Sequence, residues 1–193
     1  MSGVVSEQFG LMIPHGRLEA CIASMEDGLR SLSPTPYHAI LGRGFLQQLQ
    51  QAAEYIAGFH RDASGKIEVR ALYFEMNGFA INPKRWYCEG FAYANAGDIW
   101  DLEWLADWQA ETQEQLTLTG MEPVQDAFEG VYSDHSQPLA VRLAGELAEH
   151  LVTARFMQLF AEAHEVAKHK YRHLEKVPVF STTHEWDTVH MTK

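Results

Sequence analysis

Hydrophobic residues recur at helical spacing in two stretches near the N-terminus. In residues 17–32 they include Leu18, Cys21, Met25 and Leu29, as expected for the buried stripe of an amphipathic helix. A turn-forming Ser-Pro-Thr-Pro sequence follows, and a second stretch of helical periodicity covers residues 44–60. Because the connection is short, the two predicted helices are expected to form an N-terminal antiparallel hairpin.

The hydrophobic period changes from about 3.6 to about 2 at Ile67, which predicts the start of a β-sheet. The pair Asn77-Gly78 is typical of a tight hairpin turn, and Pro83 indicates a bulge or an edge in the returning strand. Further strands are predicted at residues 85–95 and 99–105, with a short one at 116–118. Together they predict an antiparallel meander over about residues 66–119.

Three tryptophans near the end of this segment leave its secondary structure open. Trp100, Trp104 and Trp108 are four residues apart, which would align them on one face of a helix. Trp100, Leu102 and Trp104 also alternate as one face of a strand, where indole rings are more common. A strand to about Leu105, followed by a helical turn or loop, is the preferred interpretation.

Helical periodicity returns in the C-terminal half of the chain. A short helix is predicted over residues 121–130, with Thr119 and Glu122 at the spacing of a capping box. A long helix is predicted with Ser136 as its N-cap and Pro138 in its first turn, reaching as far as Leu174. Cations collect at its end, where the helix dipole favours them. The tail from Val179 to Lys193 is expected to be β-like at Val179 and Phe180 and then to fray.

Residues 1–193 are therefore predicted to form a single α+β domain. In this domain the meander sheet packs against the N-terminal helical hairpin and the long C-terminal helix. The length of 193 residues, with 46% hydrophobic and 21% charged residues, is sufficient for a continuous core.

The spacing of the two cysteines and the absence of a long apolar run predict where in the cell the protein is located. Cys21 and Cys88 form no CxxC pair, so they are interpreted as small buried hydrophobic residues in a reducing environment. No stretch reaches the roughly 18 apolar residues of a membrane span, and the N-terminus has no signal-peptide pattern. A cytoplasmic location is therefore expected.

Negative charge is concentrated in one part of the sequence. The chain has 15 basic and 26 acidic residues, for a net charge of −11. No lysine or arginine occurs between Arg85 and Arg142. The acidic residues of this interval, here called the acidic segment, are Glu89, Asp98, Asp101, Glu103, Asp107, Glu111, Glu114, Glu122, Asp126, Glu129 and Asp134. Such a field repels nucleic acid and anionic lipid and attracts cations.

Histidines of the last predicted helix are the candidate metal ligands. Glu165, His169 and His173 are spaced to share one helix face, and a carboxylate with two imidazoles is a plausible ligand set. There is no HExxH motif and lysines crowd the same turn, so a solvated basic helix end is the preferred interpretation. No P-loop, GxGxxG or GxSxG motif is present, and no cofactor is predicted.

Two functional hypotheses follow. The preferred one is a small binding protein that recognises a basic protein partner. Its expected partner-binding residues are Trp100, Asp101, Glu103, Trp104, Asp107, Trp108 and Glu111. Bacterial immunity proteins and antitoxins neutralise nucleases by the same charge logic, although the chain has no motif of such a family.

The alternative hypothesis is a metal-assisted hydrolase that uses histidines of the last helix and carboxylates of the sheet. Neither nucleic acid nor a membrane is expected as a partner under either hypothesis. The aromatic residues of the predicted sheet are also compatible with a homodimer.

Overall fold

The computed structural model describes residues 18–79, 82–97, 103–132, 137–184 and 189–192. Within these ranges there are four α-helices: α1 (Leu18–Ser31), α2 (Leu49–Ser64), α3 (Glu122–Tyr132) and α4 (Leu139–Lys170). There are six strands: β1 (Ala71–Asn77), β2 (Tyr87–Tyr93), β3 (Ala110–Glu111), β4 (Leu116–Thr117), β5 (Val179–Thr183) and β6 (His190–Thr192). No described helix is both long enough and apolar enough to cross a membrane.

The six strands form one mixed, mostly antiparallel sheet. Its order is β3-β2-β1-β5-β6, and β4 pairs with β2 beside β3. The central pair β1 and β2 is antiparallel, with Glu75 opposite Glu89. The pairing between β1 and β5 is parallel. Such a pairing requires a crossover connection, and α3 and α4 lie in the connection that precedes β5.

This order corrects the predicted meander over residues 66–119, because strands from the C-terminal tail complete the sheet. The expected fraying after Phe180 is wrong for the described part of the tail, since all five residues of β5 are buried and His190–Thr192 form β6; residues 185–188 lie outside the described ranges. Three of the β5 residues are polar, Ser181, Thr182 and Thr183, and polar residues at a chain end are typical of a solvent-exposed segment. The hydroxyl groups of Thr183 and Thr153 lie 3.1 Å apart, which satisfies a polar side chain inside the core.

The connection between β1 and β2 is longer than the two-residue turn that Asn77-Gly78 predicted. The last pair of the ladder is Asn77 with Tyr87. The buried Trp86 explains the longer loop, because its ring packs on Phe79 and Phe128 at centroid distances of 5.4 and 5.8 Å. The gain from burying these rings outweighs the local preference for a tight turn.

The long helix α4 is the centre of the helical layer. Both N-terminal helices pack against α4, so the predicted hairpin, in which α1 and α2 would pack mainly against each other, is not confirmed. Two short 3₁₀ helices, Pro36–Ile40 and Leu46–Gln48, lie in the connection between α1 and α2 and separate them. The buried stripe of α1 is as predicted, with Leu18, Cys21, Ile22, Met25 and Leu29 all buried.

Phenylalanines join the helical layer to the sheet. The ring of Phe160 on α4 stacks on Phe74 of β1 at 4.7 Å and contacts Phe156 at 4.8 Å. Phe59 of α2 meets Phe74 edge to face at 6.1 Å. Each fully buried phenylalanine contributes about 1.5–3 kcal/mol of transfer free energy, so this cluster fixes α2 and α4 over the centre of the sheet.

Candidate partner-binding site

The side of the sheet that faces away from α4 carries a second apolar cluster, and we call this side the outer face. Side chains alternate along β1, so Leu72 and Phe74 belong to the main core, whereas Tyr73 belongs to the outer cluster with Tyr93 and Phe180. Burial, with a smaller contribution from the charge of Glu75, raises the pKa of both Tyr73 and Tyr93. These phenols therefore stay neutral and act as packing groups.

Trp104 covers part of the outer face. Residues 103–106 form a 3₁₀ helix, so the predicted strand is wrong there, while residues 98–102 lie outside the described residues. The indole meets Tyr93 at 4.7 Å and Phe180 at 5.0 Å, both edge to face. A Cβ on Gly97 would lie 2.0 Å from its Cδ1 atom, so the ring fits only because Gly97 has no side chain. Trp104 is thus half-buried and has a structural role.

Trp108 differs from Trp104 because it remains open to solvent. Its side chain is 47% exposed, although its ring contacts Phe91 of β2 edge to face at 5.3 Å. Phe91 in turn stacks on Tyr73 at 5.9 Å. The indole is therefore held against the sheet while much of its surface is available to another molecule.

Carboxylates precede and follow Trp108 in the segment that leads into and out of β3. Glu103, Asp107, Glu111 and Glu114 are all exposed. In the part of the chain that the structure describes, no lysine, arginine or histidine forms an ion pair with Asp107, Glu111 or Glu114. We call Trp108 and these four acids the acidic edge. Trp100 and Asp101, also predicted to bind the partner, lie outside the described residues.

The acidic segment does not form one continuous surface. Glu122, Asp126 and Glu129 lie on α3, which packs against the 3₁₀ helix Pro36–Ile40. Glu129 is 3.8 Å from the Nζ atom of Lys84. Glu122 accepts a hydrogen bond of 2.9 Å from the backbone N–H of Gly120, which lowers the pKa of its carboxyl group. Glu122 and Glu129 thus have local partners, and none of the three acids on α3 is part of the acidic edge.

A further pair of acids, Glu75 and Glu89, lies on the outer face. Like charges directly opposite each other on neighbouring strands are destabilising, but both groups are well supplied with donors. Glu75 accepts from the Tyr73 hydroxyl at 2.7 Å and lies 2.8 Å from His184 Nδ1. Glu89 accepts from Gln115 at 2.8 Å and from Asn77 at 3.3 Å. These hydrogen bonds stabilise the two carboxylates within the sheet, so the pair has a structural explanation.

A groove of about 670 Å³ separates the acidic edge from α2. On one side it is lined by Glu54, Tyr55 and Gly58 of α2, and on the other by residues 110–114. The Tyr55 hydroxyl donates a 2.8 Å hydrogen bond to the carbonyl of Glu114, which fixes one end of the groove. Sequence reasoning missed the groove, because about sixty residues separate its two walls and no local pattern relates them.

The candidate metal ligands on the last helix do not come together. The helix ends at Lys170, so His173 lies in the following 3₁₀ turn, where its ring contacts His60 at 4.7 Å. Glu165 accepts a 2.6 Å hydrogen bond from Lys168, and His169 is exposed. Within the described ranges, no group of three or more histidine, cysteine, aspartate or glutamate side chains could hold a metal ion.

Comparison of the chain with protein-family models, with curated proteins and with solved structures finds no match.

Proposed function

We propose that the chain is a binding protein that recognises a basic protein partner through the acidic edge. The observation that carries this proposal is the position of Trp108. Its indole is 47% exposed, it is held against Phe91, and the neighbouring Asp107, Glu111 and Glu114 form no ion pair with any described residue. A large aromatic anchor with a charged rim is the typical centre of a protein interface.

The packing of Trp108 favours binding for an energetic reason. An exposed side chain that moves freely loses conformational entropy when a partner immobilises it. The edge-to-face contact with Phe91 already restricts the indole, so much of that cost is met before binding. Burial of the remaining apolar surface then contributes directly to affinity.

The carboxylates of the acidic edge supply selectivity and speed. Uncompensated charges at the rim of an interface steer an oppositely charged partner and exclude a negatively charged one. Together with the net charge of −11, they favour a partner whose docking surface is rich in lysine and arginine. Nuclease clefts that hold phosphate groups are such surfaces, and an immunity-like or antitoxin-like neutraliser is therefore the function class we propose. Trp100 and Asp101 are included in the proposed interface on the sequence argument.

A charge-neutral variant tests the proposal. Asp107→Asn, Glu111→Gln and Glu114→Gln are combined, and the wild type is used to capture proteins from cells of its source. A basic protein identified by mass spectrometry is then purified, and its association rate is measured by surface plasmon resonance at low and high salt. We expect the triple variant to associate about tenfold more slowly at low salt, with a smaller difference at high salt.

The matched control changes one aspartate and two glutamates elsewhere. Glu19→Gln and Glu162→Gln lie near His190, at the opposite end of the sheet, and Asp126→Asn lies on α3. This control loses the same charge and should associate within about twofold of the wild type. The proposal fails if the wild type captures no basic protein, or if both triple variants slow association equally.

A further inference from the structure

We infer that the partner presents an extended basic segment, which lies in the groove between α2 and β3 and adds a strand to the edge of the sheet. This inference rests on the proposed function, because it describes how the basic partner would engage the acidic edge. It names a chemistry for the contacting segment: lysine or arginine at alternate positions, with small or apolar residues between them.

The groove continues around the edge of the sheet. The cavity of about 670 Å³ beside α2 and a neighbouring one of about 560 Å³ beside Trp108 share Lys66 and residues 110–113. A bound segment could therefore run from the exposed indole, past β3, to Glu114. Grooves between an edge strand and a helix are a recurrent site for extended peptides.

The backbone of β3 is available on the groove side. β3 is the last strand in the order of the described sheet. Ala110 is paired with Ala92 of β2, and the N–H of Thr112 donates a 2.9 Å hydrogen bond to the Gly90 carbonyl. Backbone groups alternate in direction along a strand, so the N–H and C=O of Glu111, between these two residues, point away from β2. An edge of this kind is a template for another strand.

The charges in the groove favour a basic occupant. Four acids line it, Glu54, Asp62, Glu111 and Glu114, against the single base Lys66. Glu54 accepts hydrogen bonds from Lys170 and from the Tyr171 hydroxyl, which lower the pKa of its carboxyl group. Asp62 pairs with Arg61 at 3.2 Å. Glu111 and Glu114 have no such pairing among the described residues, so a cation of the partner would meet them first.

The floor of the groove is apolar. Phe59, Ala63 and Ala110 line it and are buried. Side chains of an added strand point alternately to opposite faces, so every second residue of the segment would face this floor while the others reach the carboxylates. This alternation is the reason that the inferred segment is extended rather than helical.

Gly58 offers a way to block the groove without disturbing the fold. It lines the groove from α2, and an added Cβ would meet only the Nη2 atom of Arg61, at 3.8 Å. A leucine at this position can therefore be accommodated by the helix, which also prefers leucine to glycine, while its side chain occupies the groove. Gly130 on α3 is the matched control, since a Cβ there would meet no atom within 4 Å.

The test uses an array of synthetic peptides of about eight residues, with lysine or arginine at alternate positions and varied residues between. Each peptide has a counterpart with glutamate in place of the bases. We expect the wild type to bind members of the basic set, Gly58→Leu to weaken that binding by about tenfold or more, and Gly130→Leu to leave it within about twofold. If no basic peptide binds better than its acidic counterpart, or if Gly58→Leu binds equally well, the inference is overturned.

Methylation of alternate backbone nitrogens in the best peptide tests strand addition directly. It removes N–H donors but no charge, so binding should weaken by about fivefold when the N–H that donates to the Glu111 carbonyl is among those removed. Unchanged affinity would show attraction by charge alone and would overturn strand addition.

The intact partner separates this inference from the proposed function. Slower association with the Asp107/Glu111/Glu114 variant, together with normal binding by Gly58→Leu, would keep the acidic edge and reject the groove. If neither variant affects the partner, the proposed interface itself is wrong. If both weaken binding, the groove and the edge act as one site.

Discussion

Two buried histidines on α4 should make the stability of the folded protein depend on pH. His150 and His164 are both buried. Burial lowers the pKa of each to about 4, and for His164 the nearby charge of Lys168 adds to this effect. Both are therefore neutral in the folded protein at pH 7. His164 Nδ1 lies 2.7 Å from the hydroxyl of Thr192 on β6, so this neutral ring also connects the helix to the last strand.

Replacement of His164 by asparagine should make stability less dependent on pH. Histidines of the unfolded chain take up protons near pH 6.5, whereas the buried ring does so only near pH 4. Stability should therefore fall as the pH falls from 6.5 towards 4, and His164 should account for about 2 kcal/mol of the loss between pH 7 and pH 5. Urea unfolding at these two pH values, with wild type and His164→Asn, measures the difference. An equal loss in both proteins would contradict this account of His164.

At the scale of elements, local periodicity predicted most helices and the central strands. The stripe of α1, the short helix α3, the long helix α4 and the strands β1, β2 and β4 all lie where the sequence places them, within a few residues. These elements carry their burial pattern in the sequence itself. The same reasoning proposes Trp108 and its neighbouring acids as partner-binding residues, because they lie in one continuous stretch, and that assignment stays a prediction.

The elements that sequence reasoning missed depend on contacts far along the chain. Polar residues of β5 are buried only because β1 lies beside them, about a hundred residues earlier. The 3₁₀ helix at residues 103–106 packs Trp104 on Phe180, a contact that no local pattern indicates. For the same reason the groove could not be predicted, since its two walls meet only in the folded sheet.

Phe180→Ala tests the position of β5 and its contact with Trp104. Phe180 is buried between Tyr73, Tyr93 and Trp104 in the outer cluster, so its truncation should lower the free energy of unfolding by about 3–5 kcal/mol. Tryptophan emission should also shift towards longer wavelength as Trp104 becomes more hydrated. Chemical denaturation and fluorescence measure the two effects. The control Leu139→Ala, at a side chain that is 59% exposed, should change stability by less than about 0.5 kcal/mol. A loss for Phe180→Ala as small as that of the control would mean that β5 does not pack on the outer face.

For the whole molecule, the main core joins residues of all four helices and of strands β1 to β5. Phe128 of α3 meets Tyr37 at 4.9 Å, and the cluster around Phe160 connects α4 to the sheet. The outer cluster lies on the other side of the sheet, but it shares the strands of the main core. Leu72 and Tyr73 are neighbours on β1 and face opposite clusters, so loss of the ladder that carries both would disrupt both clusters.

We therefore expect the chain to unfold in one cooperative transition. Far-UV circular dichroism reports the helices, most of which pack on the inner face, whereas Trp104 reports the outer cluster and Trp86 reports the core beneath α3. Variants that retain Trp86 or Trp104 as the only tryptophan should give urea midpoints and slopes that coincide with those from circular dichroism, because the shared strands couple the two sides.

A lower midpoint for the Trp104 protein alone, with the wild-type transition by circular dichroism, would show that the outer cluster opens independently. In that case Trp108 and the acidic edge would rest on a separately folding layer, and partner binding would raise the midpoint of that layer more than that of the core.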